Sequence, residues 1–303
     1  MSFSSFSFLL FFLPLFPVYA LLPKRWRDPV LLLVSLGFYA WGEPRYLLLL
    51  LASIAVTYLF GRLMKPERSA RVRKALLTCA LCFHIGLLVV FKYAAFFFGS
   101  FLTLPKLSLP LGISFYTFHA MSYLIDVYRQ VSAPAKSPLR LALYLAMFPK
   151  LIMGPIVPYH EMEIALDDHP LSPELTAAGC FRFAVGLAKK ALLADAIGAV
   201  ISPIWSDTAS LTVLSAWLGL IGYALQLYFD FSGYSDMAIG LGAMLGFRLP
   251  ENFRYPYLCT SISDFWRRWH ISLGGWFRDY LYIPLGGSRA GTLRTVRNLM
   301  IVW

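Results

Sequence analysis

"YALQLYFDFSGYSDMAIGLGAMLGF" occupies residues 223–247. It is apolar over a length that crosses a bilayer, about 20 residues for a helix. Yet it carries Gln226, Asp230, Asp236 and four glycines. Ionisable groups inside a membrane segment are costly and mark function by default. Glycine either lets two helices approach closely or breaks one helix where its backbone lines a cavity. On an unbroken helix Asp230 and Asp236 lie about 600° apart and share no face. A break at Ser232-Gly233 would bring both to one cavity. The plainer alternative is a pair of Asp caps at a helix junction.

The rest of the chain has the same character. Of 303 residues, 58% are hydrophobic and 14% charged, with a mean hydropathy of +0.64. Soluble domains are nearer half apolar and a quarter charged. Apolar runs fall at 6–22, 29–42, 46–64, 75–99, 111–128, 140–157, 175–203, 211–230 and 231–247. A partly interfacial segment follows at 262–285, and a last run begins near 296. The runs do not alternate in polarity, which excludes an outer-membrane barrel. Residues 6–22 lack a basic leader and a small-residue cleavage site, so they read as an uncleaved first helix. The expected fold is an all-α polytopic membrane protein. About nine to eleven transmembrane or re-entrant helices would surround a central polar cavity. No repeat, linker or hydrophilic block divides residues 1–303, which form one membrane domain.

The net charge of +11 reads as membrane chemistry, not nucleic-acid binding, because Lys and Arg collect in cytoplasmic loops and at anionic headgroups. "KRWR" follows the first run; residues 62–74 carry six basic residues and one acidic; Arg129, Lys136 and Arg140 mark a later loop. The loop at 100–110 has a single Lys, and residues 158–174 hold five carboxylates and no Lys or Arg. The alternation predicts an outside N-terminus, cytoplasmic loops at 62–74 and 129–140, and an outward acidic loop.

Four cysteines are too few for a disulfide scaffold, and the lone C-x-x-C at Cys79 and Cys82 fits no metal or redox context. "MFPKLIMGPIVPY" at 147–159 interrupts a run with three prolines and a glycine. Its Lys150 either snorkels to an interface or lines a polar tunnel. Arg182, Lys189, Lys190 and Asp195 suggest an amphipathic helix with a solvated basic face. His119 lies seven residues before Asp126, on nearly the same helix face, and is a cavity candidate. His84 reads as a buried polar contact, and His160 and His169 as members of the solvated acidic loop.

"DFWRRWHISLGGWFRDYLYIPLGG" at 264–287 concentrates Trp266, Trp269 and Trp276 with Arg267, Arg268 and Arg278. Tryptophan favours the headgroup level, and arginine stacks on its face. Helical spacing places Trp266, Trp269, His270, Leu273 and Phe277 on one face, away from Arg267 and Arg268. A histidine on that face is either a satisfied core residue or a general acid or base.

The run from Phe229 through Arg289, with "FPKLIMGPIVPY" and "PLGISFYTFHAMSYLIDVYR", resembles the membrane-bound O-acyltransferase family. It most resembles the bacterial branch of alginate O-acetylation and teichoic-acid D-alanylation. The resemblance implies acyl transfer to a hydroxyl in a bacterial inner membrane. A cytoplasmic thioester (acetyl-CoA or an acyl carrier) would be the donor, with no bound cofactor. The acceptor would be an extracytoplasmic polysaccharide or a periplasmic acetyltransferase partner. His270 matches the first of two family histidines and would orient or polarise the donor. The second, the implied base, would lie in a Leu-Trp-His-Gly motif beyond Trp303, so residues 1–303 would lack the domain's C-terminal part. Asp230, Asp236, Gln226, Trp266, Arg267, Arg278, Lys150 and His119 are the expected cavity or donor-binding residues. Broken helices with intramembrane carboxylates also describe transporters, and a non-catalytic membrane scaffold is a third reading.

Overall fold

The computed structural model describes residues 3–94, 96, 108–289 and 291–302. Most of the expected loop at 100–110 lies outside these. Among the described residues all regular structure is helical. α1 (Phe6–Leu21) and α2 (Lys24–Gly42) lead into α3 (Leu47–Leu63) and α4 (Ala70–Leu88), which continues through a wide π turn to Tyr93. α5 (Ile113–Arg129) starts at Gly112, whose φ of 68° suits glycine, and a Cβ there would strike the Leu151 carbonyl oxygen. Ser5, Ser69, Ser137, Ser172 and Thr212 each cap a helix by accepting a backbone N–H.

Among the described residues, three helical stretches are long and apolar enough to cross a membrane: Pro44–Leu63, Ala70–Tyr93 and Val213–Met244. α1 is apolar but shorter. The expected nine to eleven spans are therefore not confirmed. The predicted run 29–42 begins earlier, at Lys24, and holds Pro29 within the helix. Residues 175–203 form α9 (Pro173–Ala188) and α10 (Asp195–Ser206), joined by a π turn over 189–194. His84 sits between α3 and α4, its Nε2 3.0 Å from Thr57 Oγ1, a buried polar contact as expected.

The predicted span 140–157 is instead a hairpin. α6 (Pro138–Ala146) and the single turn α7 (Phe148–Leu151) descend, and chain without helix returns to α8 (Tyr159–Asp167). Its return can be followed along α5. Leu151 meets Gly112, the Val157 N–H donates to His119 Nε2 (3.2 Å), and His160 Nδ1 lies 2.9 Å from Asp126. Pro149, Pro155 and Pro158 cannot donate to a helical ladder, so the descending helix is not continued.

This hairpin changes the topology. Because 138–158 enters and leaves at one end, the acidic segment 158–174 lies at the same end as the basic loops, not opposite them. Asp167 pairs with Arg140 and Lys136, Asp168 with Lys24 (3.2 Å), and His169 with Asp28 (3.2 Å). Arg73 at the start of α4 donates to the Tyr128 carbonyl at the end of α5. Parity counting placed the acidic segment on the other side by treating a returning hairpin as a crossing.

Residues 213–244 form one unbroken 32-residue helix, α11, where two spans were expected and a break at Ser232-Gly233 was one of two readings. At about 1.5 Å per residue it is some 48 Å long. Its glycines serve close approach. α9 runs antiparallel to α11, and the two meet at reciprocal pairs. A Cβ on Gly186 would lie 2.5 Å from the Gly233 carbonyl oxygen, and one on Gly233 2.8 Å from that of Gly186. Gly179 and Gly240 repeat the relation at 2.7 and 2.6 Å. Seven residues separate the glycines on each helix, two turns along one face. Backbones that close leave no room for side chains between them, which is how small residues bind helices in lipid.

Candidate active site

Beyond Met244 the chain folds back into the helical body. Tyr257 donates to the Ala224 carbonyl (2.7 Å), and Phe253 packs on Tyr228 and Phe231, all about half-way along α11. α12 (Ile262–Arg268) follows, capped by Ser261. On its far side the segment is tied to α5: Trp276 Nε1 donates to the Phe118 carbonyl (3.1 Å), and the Tyr280 hydroxyl to Asp126 (2.8 Å).

Sequence spacing predicted one interfacial helix through His270. The helix stops at Arg268. Trp269 is extended, His270 is left-handed at φ 45°, and α13 (Ile271–Phe277) starts anew. Left-handed backbone is uncommon outside glycine, and strained conformations cluster at functional sites. Two backbone bonds hold the bend: Arg254 N–H to the Arg268 carbonyl and Ile271 N–H to the Asn252 carbonyl, both 2.9 Å.

The predicted grouping nevertheless holds. Trp266, Trp269, His270, Leu273 and Phe277 all line one cavity of about 570 Å³, lined also by Arg278, Tyr282 and residues of α14 (Thr292–Val302). That volume lies in the range of small-molecule sites. The His270 ring stands perpendicular to Phe231 at 4.8 Å, and its Nδ1 is 3.1 Å from Asn252 Oδ1. Arg267 does not face this cavity. It lines a neighbouring one of about 680 Å³ with Glu161, Glu251, Arg278 and Asp279; Trp266, Gly274 and Arg278 border both. Arg278 pairs with Asp279 at 2.7 Å.

The other expected site residues lie elsewhere. Asp236, 5% exposed, receives Arg182 (2.7 Å) and Lys189 (2.6 Å) from α9 and the π turn, and Arg182 also reaches Glu251. Asp230 pairs with Lys190, which also holds Asp195, both at 2.7 Å. The basic residues expected on a solvated face are thus the partners of the intramembrane carboxylates. On a continuous α11 the two carboxylates serve different lysines, and neither lines the His270 cavity. Gln226 packs on Gly198 of α10. Lys150 does not snorkel: it is fully buried, its ammonium 3.7 Å above the Tyr144 ring. His119 is buried and accepts from Val157, away from His270. His160 and His169, expected in a solvated loop, bind Asp126 and Asp28; His169 also stacks on Phe247 at 4.3 Å.

Sequence reasoning missed Asn252 and Ser272. Asn252 stands beside Glu251 in "LPENF" and is fully buried. Its partners lie 18 and 20 residues on, beyond the reach of any local pattern. It also missed Asp126 as the junction of α5, α8 and the segment after α13.

A part-buried imidazole in an apolar cavity is equipped for proton transfer to or from a hydroxyl group bound there. Comparison with known proteins agrees. Residues 116–303 match the membrane-bound O-acyltransferase family. The chain is 42% identical over 314 residues to the probable alginate O-acetylase AlgI of Pseudomonas aeruginosa, covering 99% of this chain and 60% of the relative. It is 38% identical to the peptidoglycan O-acetyltransferase of Helicobacter pylori, over 93% and 59%. It is 32% identical to the teichoic acid D-alanyltransferase of Bacillus subtilis, over 57% and 45%. The chain spans about three-fifths of the length of the AlgI relatives it matches. With a family match over more than half its length and a relative 42% identical over 99% of it, this chain is a member of the membrane-bound O-acyltransferase family.

Proposed function

We propose that the protein is an O-acyltransferase of a bacterial inner membrane, passing an acyl group, in the first instance acetyl, from a thioester to a hydroxyl. The observation that carries this is His270 at the wall of the 570 Å³ cavity, beside a neutral amide. Acetyl-CoA or an acyl carrier would supply the thioester at the end that bears Lys24, Arg73 and Lys136. The positive-inside rule makes that end cytoplasmic. α1 then begins on the outer side, which puts the N-terminus outside. The acceptor is a polysaccharide hydroxyl or a serine of a periplasmic acetyltransferase; the names of the relatives, which specify alginate and peptidoglycan, support the polysaccharide class.

The hydroxyl oxygen attacks the thioester carbonyl and gives up its proton to a base. The tetrahedral intermediate then collapses to the ester, and the thiolate leaves and is protonated. The test uses membrane vesicles carrying the chain with whatever residues follow Trp303 in its gene, a labelled acetyl thioester and a polysaccharide acceptor. His270→Gln should lower transfer on the order of 10²–10⁴-fold with unchanged membrane insertion. Undiminished transfer by the folded variant would make His270 a packing residue and remove the basis of the proposal.

A further inference from the structure

His270 has two parts open to it in such a reaction. A neutral imidazole with its proton on Nε2 would donate to the thioester carbonyl and polarise it. One with its proton on Nδ1 would present a bare Nε2 and take a proton. The hydrogen bonds around Asn252 decide between them. Asn252 Oδ1 lies 3.2 Å from the Ser272 N–H, 2.9 Å from Ser272 Oγ and 3.1 Å from His270 Nδ1. A backbone N–H can only donate, so the atom facing it is the amide oxygen and the usual ambiguity of an Asn side chain is removed. Ser272 Oγ accepts from the Ile156 N–H (3.0 Å), which leaves its own proton for Asn252. An oxygen that accepts from both Ser272 groups can meet His270 Nδ1 only if that nitrogen also carries a proton.

We propose that Asn252 is a positioning residue that holds His270 in the Nδ1–H tautomer, so that Nε2 serves as the proton acceptor of the cavity. His270 is then a base and not a polariser of the donor. The role of Nε2 rests on the acyl-transfer reading above; the tautomer does not. The chain of hydrogen bonds begins at Ile156, on the returning arm of the hairpin, so the hairpin sets the imidazole through Ser272 and Asn252. The cost of the arrangement is visible: Asn252 is fully buried and its Nδ2 has no partner among the described residues. An unmet buried donor is destabilising. The residue is placed for its oxygen, which accepts three bonds, and the left-handed backbone at His270 is held by the Asn252 carbonyl accepting from the Ile271 N–H. Orientation of a catalytic imidazole through Nδ1 by a buried acceptor is the logic of the serine-protease triad.

The test is nitrogen NMR of the intact protein in nanodiscs with ¹⁵N-histidine, His270 being assigned by its loss in His270→Gln. The expected signal is a neutral ring with protonated Nδ1 and bare Nε2. Asn252→Asp keeps the acceptor and should keep the tautomer. Asn252→Leu should shift it toward Nε2–H and lower kcat on the order of 10²-fold, with the donor KM within about twofold. If that variant does not fold, the wild-type spectrum still decides. A wild-type His270 protonated on Nε2, or an unchanged tautomer in Asn252→Leu, overturns the proposal. A confirmed tautomer with full activity in His270→Gln would instead refute the acyl-transfer role and leave the Asn252 assignment standing.

Discussion

The reciprocal glycines of α9 and α11 give a sharp test of how this membrane domain is held together. In Gly186→Ala the new methyl would stand 2.5 Å from the Gly233 carbonyl oxygen, and in Gly233→Ala 2.8 Å from that of Gly186, where 3.4 Å is ordinary contact. The opposing atoms are backbone on a packed helix and cannot rotate away, so the helices must part by roughly 0.6–0.9 Å. Overpacking of this kind costs about 1–3 kcal/mol. Parting also draws Asp236 from Arg182 and Lys189, now at 2.7 and 2.6 Å. Alanine's helix propensity returns about 1 kcal/mol. The expected net loss for Gly186→Ala is about 0–2 kcal/mol before the stretched Asp236 pairs are added, or up to a few degrees in the unfolding midpoint. Heating in detergent followed by fluorescence-detected size exclusion reads it. Gly37, on α2, is the control, because a Cβ there would meet nothing within 4 Å; Gly37→Ala should match or exceed the wild type. The double variant Gly186→Ala/Gly233→Ala should cost less than the two singles added, because the first parting already makes room for the second methyl. A Gly186→Ala midpoint as high as that of Gly37→Ala would refute the close-approach argument.

Asp236→Asn should destabilise far more than Asp230→Asn, since Asp236 has a side chain 7% exposed between two cations while the Asp230 side chain is 45% exposed; equal midpoints would contradict this. Single cysteines at Arg68 and Asp168, in a background without the four native cysteines, should react with an impermeant reagent from the same side of oriented vesicles. Labelling from opposite sides would restore the crossing at 140–157. Arg140 first, and then Lys136, hold Asp167 below the ordinary carboxylate value of 3.8. A depressed carboxylate stabilises above its unfolded pKa and loses that contribution as pH falls through the lower folded value. The stability gap between wild type and Asp167→Asn should therefore be constant above about pH 5 and close below about pH 4; a gap that persists at lower pH would refute the pairing.

How far the sequence could be read depended on the distance over which each feature is decided. Apolar runs such as 46–64 and 111–128 were local and legible, because hydropathy is read over neighbouring residues, while helix starts were displaced by up to five residues, as at Lys24 and Ala70. The grouping of Trp266, Trp269, His270, Leu273 and Phe277 was legible as well, although its reason differs: the helix breaks at His270, where no glycine or proline announces a left-handed residue. The prolines at 149, 155 and 158 announced a broken segment but not its return, because the return is fixed by α5, through His119 and Asp126. One misjudged crossing then inverted the side given to the acidic loop at 158–174. Asn252 left no trace, since its use depends on residues brought to it by the fold.

The intramembrane polar residues were all candidates on the ground that charge in lipid is expensive. The structure separates them by what already neutralises each one. Asp236 has two cations within 2.7 Å and Asp230 has Lys190. A carboxylate so paired has spent its charge on joining α9 to α11, and to serve a substrate it would first have to break those bonds. Lys150 has only a ring face, but it is fully buried in the core. His270 differs in both respects. Its one side-chain polar partner among the described residues is a neutral amide that occupies a single ring nitrogen, and its ring borders a cavity. Cost of burial therefore identifies which residues need an explanation, while an unspent nitrogen beside an open volume is what singles out His270 for the chemistry proposed above.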